Sequence, residues 1–216
     1  MKRFIILVLL VGKIFADNDK NGLLYLDLMK KCLINSIYQD GYTAWNDPKG
    51  NSYNAALRER GLDWPDVAHT MIGLHRLNNL QFCIQDVLKN NIPGDLIETG
   101  VWRGGASIFM RAVLKAHDVK DRKVFVADSF EGMPKPNPEK YPADSNLEFW
   151  DDFKILAVSL EQVKSNFARY DLLDDQVVFL KGWFSQTLPK APIKKLAVMR
   201  LDGDFYESTM DALINL

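Results

Sequence analysis

Apolar residues recur at helical spacing through LLYLDLMKKCLINSIY, which predicts an amphipathic helix over 23–38. Residues 39–55 then lose the pattern and fill with Gly, Asn, Asp, Pro and Tyr, as a loop does. Asp63-Trp64-Pro65 predicts a second helix near 65–74, with Pro65 in its first turn. A third helix is expected over about 76–90, stopped by Asn91-Ile92-Pro93-Gly94. From there the rhythm becomes strand, turn, helix. Strands are expected at Asp95–Val101, Lys123–Ser129, Val177–Trp183 and Lys195–Leu201. Between and after them come helices from Ala106 to about His117, over Ser159–Tyr170, and from Glu207 onward. Ser159 is placed as an N-cap, with Gln162 completing a capping box. A Pro- and acid-rich connection runs from Phe130 to Lys154, and Gln186–Pro189 reads as a short turn.

This alternation predicts an α/β fold: a doubly wound, Rossmann-like parallel sheet over 93–216, preceded by a helical region over 17–92. Four strands leave one sheet edge uncovered, so the sheet reads as incomplete at the C-terminal end.

The first sixteen residues break the pattern. Met1-Lys2-Arg3 is followed by an apolar run from Phe4 to Val11, then by Ala16 and polar Asp17. This is the layout of a secretory signal peptide cleaved after Ala16. An uncleaved anchor or an ordinary N-terminal element are the alternatives. The run is short for a membrane span, so no stable span is expected. A real signal implies the secretory pathway or the exterior; otherwise the chain is cytoplasmic.

Composition changes the picture little. The 216 residues carry a formal net charge of -1, which gives no electrostatic footprint for nucleic acid. The two cysteines, Cys32 and Cys83, sit in apolar helical patterns and read as buried free thiols; no zinc spacing occurs.

In a doubly wound sheet the ligand lies beyond the carboxyl ends of the strands. After the first strand come Glu98, Thr99 and Gly100, then Gly104-Gly105. Glycines let backbone amides approach a ligand, and the next helix offers free N–H groups. The spacing is not GxGxxG, so a dinucleotide-type dehydrogenase is disfavoured. Glu98 would repel pyrophosphate but accept a hydrogen bond from an ammonium group, as on S-adenosylmethionine. The plain alternative is a strand-helix turn with packing glycines. Asp128, ending the second strand, is placed for ribose hydroxyls; alternatively it is a surface carboxylate. Asp202 and Asp204 follow the fourth strand and suit a hard cation such as Mg²⁺, or else Asp204 caps a helix and Asp202 faces solvent. His69 and His75 are assigned to a helix, and His69-Thr70-Met71 to a cleft wall; His117 ends a helix, where the dipole favours it. No histidine stands out as a general base.

Several ordered blocks resemble the macrocin O-methyltransferase (TylF) family: Leu62–Gly105, ADSFEGMP at Ala127–Pro134, Tyr141-Pro142-Ala143-Asp144, LAVSLEQVKSNF, FLKGWFSQTL and LDGDFYESTMDAL. The resemblance implies an S-adenosylmethionine- and Mg²⁺-dependent enzyme that methylates a hydroxyl on a sugar or glycosylated small molecule. It places Thr70, Met71, Glu98, Thr99, Gly100, Val101, Trp102, Asp128, Ser129, Phe130, Glu131, Gly132 and Ser159 around the cofactor, with Asp202 as first metal ligand. A homo-oligomer is compatible with it. Two departures follow. The family's Asp-Asp pair, which completes the metal site on a later strand, lies beyond Leu216. The family's histidine base falls where Asn146–Asp151 stands, without histidine, which leaves Asp151 or Asp152 to take the proton, or an altered activity. The alternative function is therefore a truncated, catalytically incomplete cofactor-binding protein.

Overall fold

The computed structural model describes residues 20–44, 47–145 and 154–216. The signal-like start, Asp151 and Asp152 lie outside them. No helix among the described residues is long and apolar enough to cross a membrane.

The centre is a four-stranded parallel sheet: β4 (Asp95–Thr99), β5 (Val124–Asp128), β6 (Val177–Lys181) and β7 (Leu196–Leu201), in the order β6-β5-β4-β7. Order reverses between β5 and β7 around β4, so the crevice opens at the carboxyl end of β4. Strand alternation splits the core into two layers. Leu96, Val124, Val126 and Val198 face α1 (residues 20–33), α3 (Gly73–Lys89), α4 (Gly105–Ala116) and α5 (Leu160–Arg169). Ile97, Phe125 and Ala127 face α6 (Phe184–Thr187) and α7 (Tyr206–Asn215). β4 and β5 are buried on both faces, β5 as an apolar run from Val124 to Ala127 and β4 with Glu98 and Thr99 buried beside Leu96 and Ile97. The buried residues of α1 and α3 belong to the same cluster as the sheet, so the N-terminal helices share its core.

The N-terminal third departs from expectation. The first helix ends at residue 33, not 38. The expected loop 39–55 holds strands β1 (Tyr42–Ala44) and β2 (Asp47–Asn51). The helix expected near 65–74 is absent: Trp64–Pro65 is strand β3, antiparallel to β1, and residues 66–72 are irregular. A short helix, α2 (Ala55–Arg60), precedes it, capped by Asn54 and Gly61. The cause is tertiary. Fully buried Arg58 donates to Asp63 at 2.6 Å, to Asp40 at 2.7 Å and to the Ile34 carbonyl at 2.7 Å, pinning the hairpin and the 61–65 stretch together. Pro65 takes an edge strand, where its missing N–H costs nothing.

Smaller corrections have local causes. Ser159 caps α5 by accepting the Gln162 amide, but the Gln162 side chain turns to Asn166, so the capping box is half made. Gln186 and Thr187 belong to α6 rather than to a turn. Cys32 and Cys83 are free but only partly buried. His69 lies outside any helix, whereas His75 is in α3.

Candidate active site

A cavity of about 980 Å³ opens at the carboxyl ends of the sheet strands. Its wall includes Thr70, Met71, Glu98, Gly100, Val101, Trp102, Asp128, Ser129 and Gly132. Thr99, Phe130, Glu131 and Ser159 are not on its wall. Alternation turns Thr99 away from the Glu98 side. Phe130 packs in the core against Phe179, Glu131 is exposed, and Ser159 is spent on capping α5.

The turn after β4 is tightly built. Gly100 has φ 82°, and a Cβ there would stand 2.0 Å from the Asp202 carbonyl oxygen. Gly105 is equally crowded, with the His69 carbonyl 2.4 Å from where its Cβ would be. The turns after β4 and β7 and the 68–71 segment therefore close on one another only through glycine. Asp128 locks the arrangement. Its Oδ2 accepts the Val101 amide at 2.7 Å and its Oδ1 the Phe130 amide at 2.8 Å. Burial raises its pKa, against these hydrogen bonds. Oδ1 also takes the longer Ser129 hydroxyl contact at 3.4 Å, and the Trp102 amide acts on the same carboxylate.

Glu98 is buried. It accepts hydrogen bonds from the Ser107 hydroxyl and, at 2.7 Å, from Arg200, its partner in the β4–β7 register. Burial pushes its carboxyl up to about 7, against the pull of Arg200 and Ser107. Arg200 also holds Asp202 at 2.8 Å.

The same cavity is also lined by Trp64, Arg76, Trp183, Phe184, Asp204 and Glu207, and by Met133, Pro134 and Asn137. Asp204 does not cap α7. Among the described residues its carboxylate has no hydrogen-bond partner; the residue is exposed, on the cavity wall, and partial desolvation there, with Asp202 beside it, raises it to about 6. Sequence reasoning missed Arg200, Trp64 and Trp183. The rule that ligands lie beyond strand ends could have found Trp183, two residues past β6.

His69 lies behind the wall. Its Nδ1 is 2.7 Å from the Tyr170 hydroxyl and its carbonyl accepts the Gly105 amide. Burial, with Arg169 and Arg103 nearby, lowers its pKa to about 4.

A parallel sheet with this switch point, a glycine turn after the central strand and a carboxylate ending the next define a methyltransferase-type cofactor fold. The chain belongs to the macrocin-O-methyltransferase (TylF) family, which it matches over residues 22–216. It is 58% identical over 193 residues to 8-demethyl-8-(2,3-dimethoxy-alpha-L-rhamnosyl)-tetracenomycin-C 4'-O-methyltransferase of Streptomyces olivaceus, covering 89% of this chain and 74% of that one. It is 52% identical to demethyldecarbamoylnovobiocin O-methyltransferase of Streptomyces niveus, covering 93% of this chain and 77% of that one. The solved structure of the O-methyltransferase NovP superposes with a TM-score of 0.84 at 53% identity, over 90% of this chain and 78% of that one. The chain is thus an S-adenosylmethionine-dependent O-methyltransferase.

The residues present fit the cofactor: the Asp128 carboxylate lies on the cavity wall beside the glycine turn, and the cavity is roomy. They do not by themselves fit Mg²⁺. Among the described residues no three His, Cys, Asp or Glu side chains converge as a metal site, and Asp202 is held by Arg200.

Proposed function

We propose that this methyltransferase acts on a sugar hydroxyl of a glycosylated small molecule. The observation that carries the reading is one cavity whose lining joins the glycine turn and Asp128 with the aromatic and acidic groups Trp64, Trp183 and Asp204. Indole faces suit the C–H faces of a sugar ring, and carboxylates suit its hydroxyls. The sugar-bearing substrate in the name of the Streptomyces olivaceus relative supports the same class.

S-adenosylmethionine, when bound, supplies a methyl group on an electrophilic sulfonium. Asp128 would accept its ribose hydroxyls, and Thr70, Met71 and Gly100–Trp102 would wall its place. Glu98 and Arg200 would fix the floor. Asp204, facing the cavity without a protein donor, is placed to take the proton of the reacting hydroxyl on a carboxylate oxygen. Catalysis then rests on holding hydroxyl oxygen and methyl carbon in line. No step is routed through a metal.

The test offers the chain labelled S-adenosylmethionine and two acceptors, the rhamnosyl tetracenomycin and demethyldecarbamoylnovobiocin, with and without Mg²⁺. Label transfer to a sugar oxygen is expected. Tight cofactor binding with no transfer to any glycoside would overturn the reading in favour of a catalytically incomplete binder.

A further inference from the structure

The segment Tyr141–Asp144 has no part in the reading above. Asp144 is 3% exposed, at the end of the 3-10 turn Pro142–Asp144. Its Oδ1 accepts the Tyr206 amide at 2.8 Å and its Oδ2 the Glu207 amide at 3.1 Å. These are the first two amides of α7, whose own N-cap, Phe205, makes no side-chain cap bond. The Tyr141 and Tyr206 rings meet beside them, with centroids 6.1 Å apart. A carboxylate 62 residues away in sequence from Tyr206 therefore does the work of a local cap.

Its placement joins two walls of the cavity. Met133, Pro134 and Asn137, on the stretch leading to Asp144, line the cavity in which the acceptor is placed. Glu207, Ser208 and Asp211, on α7, line it as well. We infer that Asp144 is a positioning residue for the acceptor: through one buried carboxylate it fixes the 133–144 strap and α7 relative to each other. It also takes the α7 amides that would otherwise draw Asp204 back from the cavity into a capping bond. Cofactor contacts at Val101 and Asp128 lie on other elements and do not depend on it. The inference rests on the acceptor occupying this cavity.

The test compares Asp144→Ala and Asp144→Asn with the wild type in three measurements. Trypsin cleavage after Lys140, on the strap, is expected to quicken about tenfold in Asp144→Ala, the size of a lost buried cap. The calorimetric Kd for S-adenosylmethionine is expected to stay within about threefold, while the acceptor KM rises about tenfold and kcat changes less. Asp144→Asn, which keeps one acceptor oxygen, is expected to recover part of both changes. Unchanged cleavage and KM would overturn the inference, as would a loss of cofactor affinity in step with KM, which marks a general loosening. Should Asp144→Ala fail to fold, Tyr141→Ala is expected to shift cleavage and KM in the same direction by a smaller amount. If the wild type binds cofactor but methylates no glycoside, the acceptor reading fails, and the cleavage rates still decide whether Asp144 holds the strap.

Discussion

Asp128 accepts the backbone amide of Val101 at 2.7 Å, so a carboxylate ending one strand fixes the turn that follows its neighbour. A residue read as a cofactor ligand is also part of the scaffold. The two roles are compatible because a carboxylate offers about four acceptor directions and the backbone uses only some of them.

Asp128→Ala should therefore do more than remove a ligand contact. It frees the Val101 and Phe130 amides and lets the glycine turn relax. The Kd for S-adenosylmethionine is expected to rise by about two orders of magnitude, with a small drop in Tm. Titration calorimetry checks it. An affinity within a few-fold of wild type would mean that Asp128 serves only as scaffold or not at all.

Gly100→Ala meets both a positive φ and the Asp202 carbonyl. Neither can give way without parting β4 from the turn after β7. A loss of about 3 kcal/mol or more is expected in denaturant unfolding.

Arg200→Met removes the cation that faces buried Glu98. The expected cost is about 3 kcal/mol, limited by protonation of the carboxyl. A carboxyl with a raised folded pKa holds its proton in the folded state, so its contribution is present at low pH and lost as pH rises. The variant should therefore lose stability between about pH 7 and 9 more steeply than wild type. Adding Glu98→Gln should flatten that slope; unfolding curves at several pH values decide it.

His69 works in the opposite sense. Its folded pKa, about 4, lies below the ordinary 6.5, so the unfolded chain binds the proton more readily. Stability is full above pH 6.5 and is lost as pH falls toward 4, by about 2 kcal/mol after allowance for partial exposure. His69→Gln should remove this part of the acid sensitivity. An unchanged acid slope in thermal unfolding would show that the Tyr170 contact does not hold the imidazole neutral.

Much of the sheet was legible. Asp95, Val124, Val177 and Leu196 each begin a strand within about one residue of expectation, because apolar runs and glycine stops are local signals. The N-terminal hairpin was not. Tyr42 pairs with Asn51 on one side and Pro65 on the other, and neither partner is visible in a polar, glycine-bearing stretch. Among candidate site residues, Thr70, Met71, Glu98, Gly100, Val101, Trp102, Asp128, Ser129, Gly132 and Asp202 share one cavity wall, since strand ends can be found from pattern alone. Phe130, next to Ser129, turns into the core, which only packing decides.

The sequence by itself determined the alternation of strands and helices, the glycine turn and the carboxylate that ends the next strand. These follow from periodicity and from the conformational freedom of glycine, which act within a few residues. Tertiary structure decided who meets whom. Strand register set Arg200 against Glu98, burial raised Glu98, partial desolvation on the cavity wall beside Asp202 raised Asp204, and Asp144 came from a distant loop to cap α7 in place of Asp204. Each of these depends on groups far apart in the chain, brought within hydrogen-bonding distance only when the core closes.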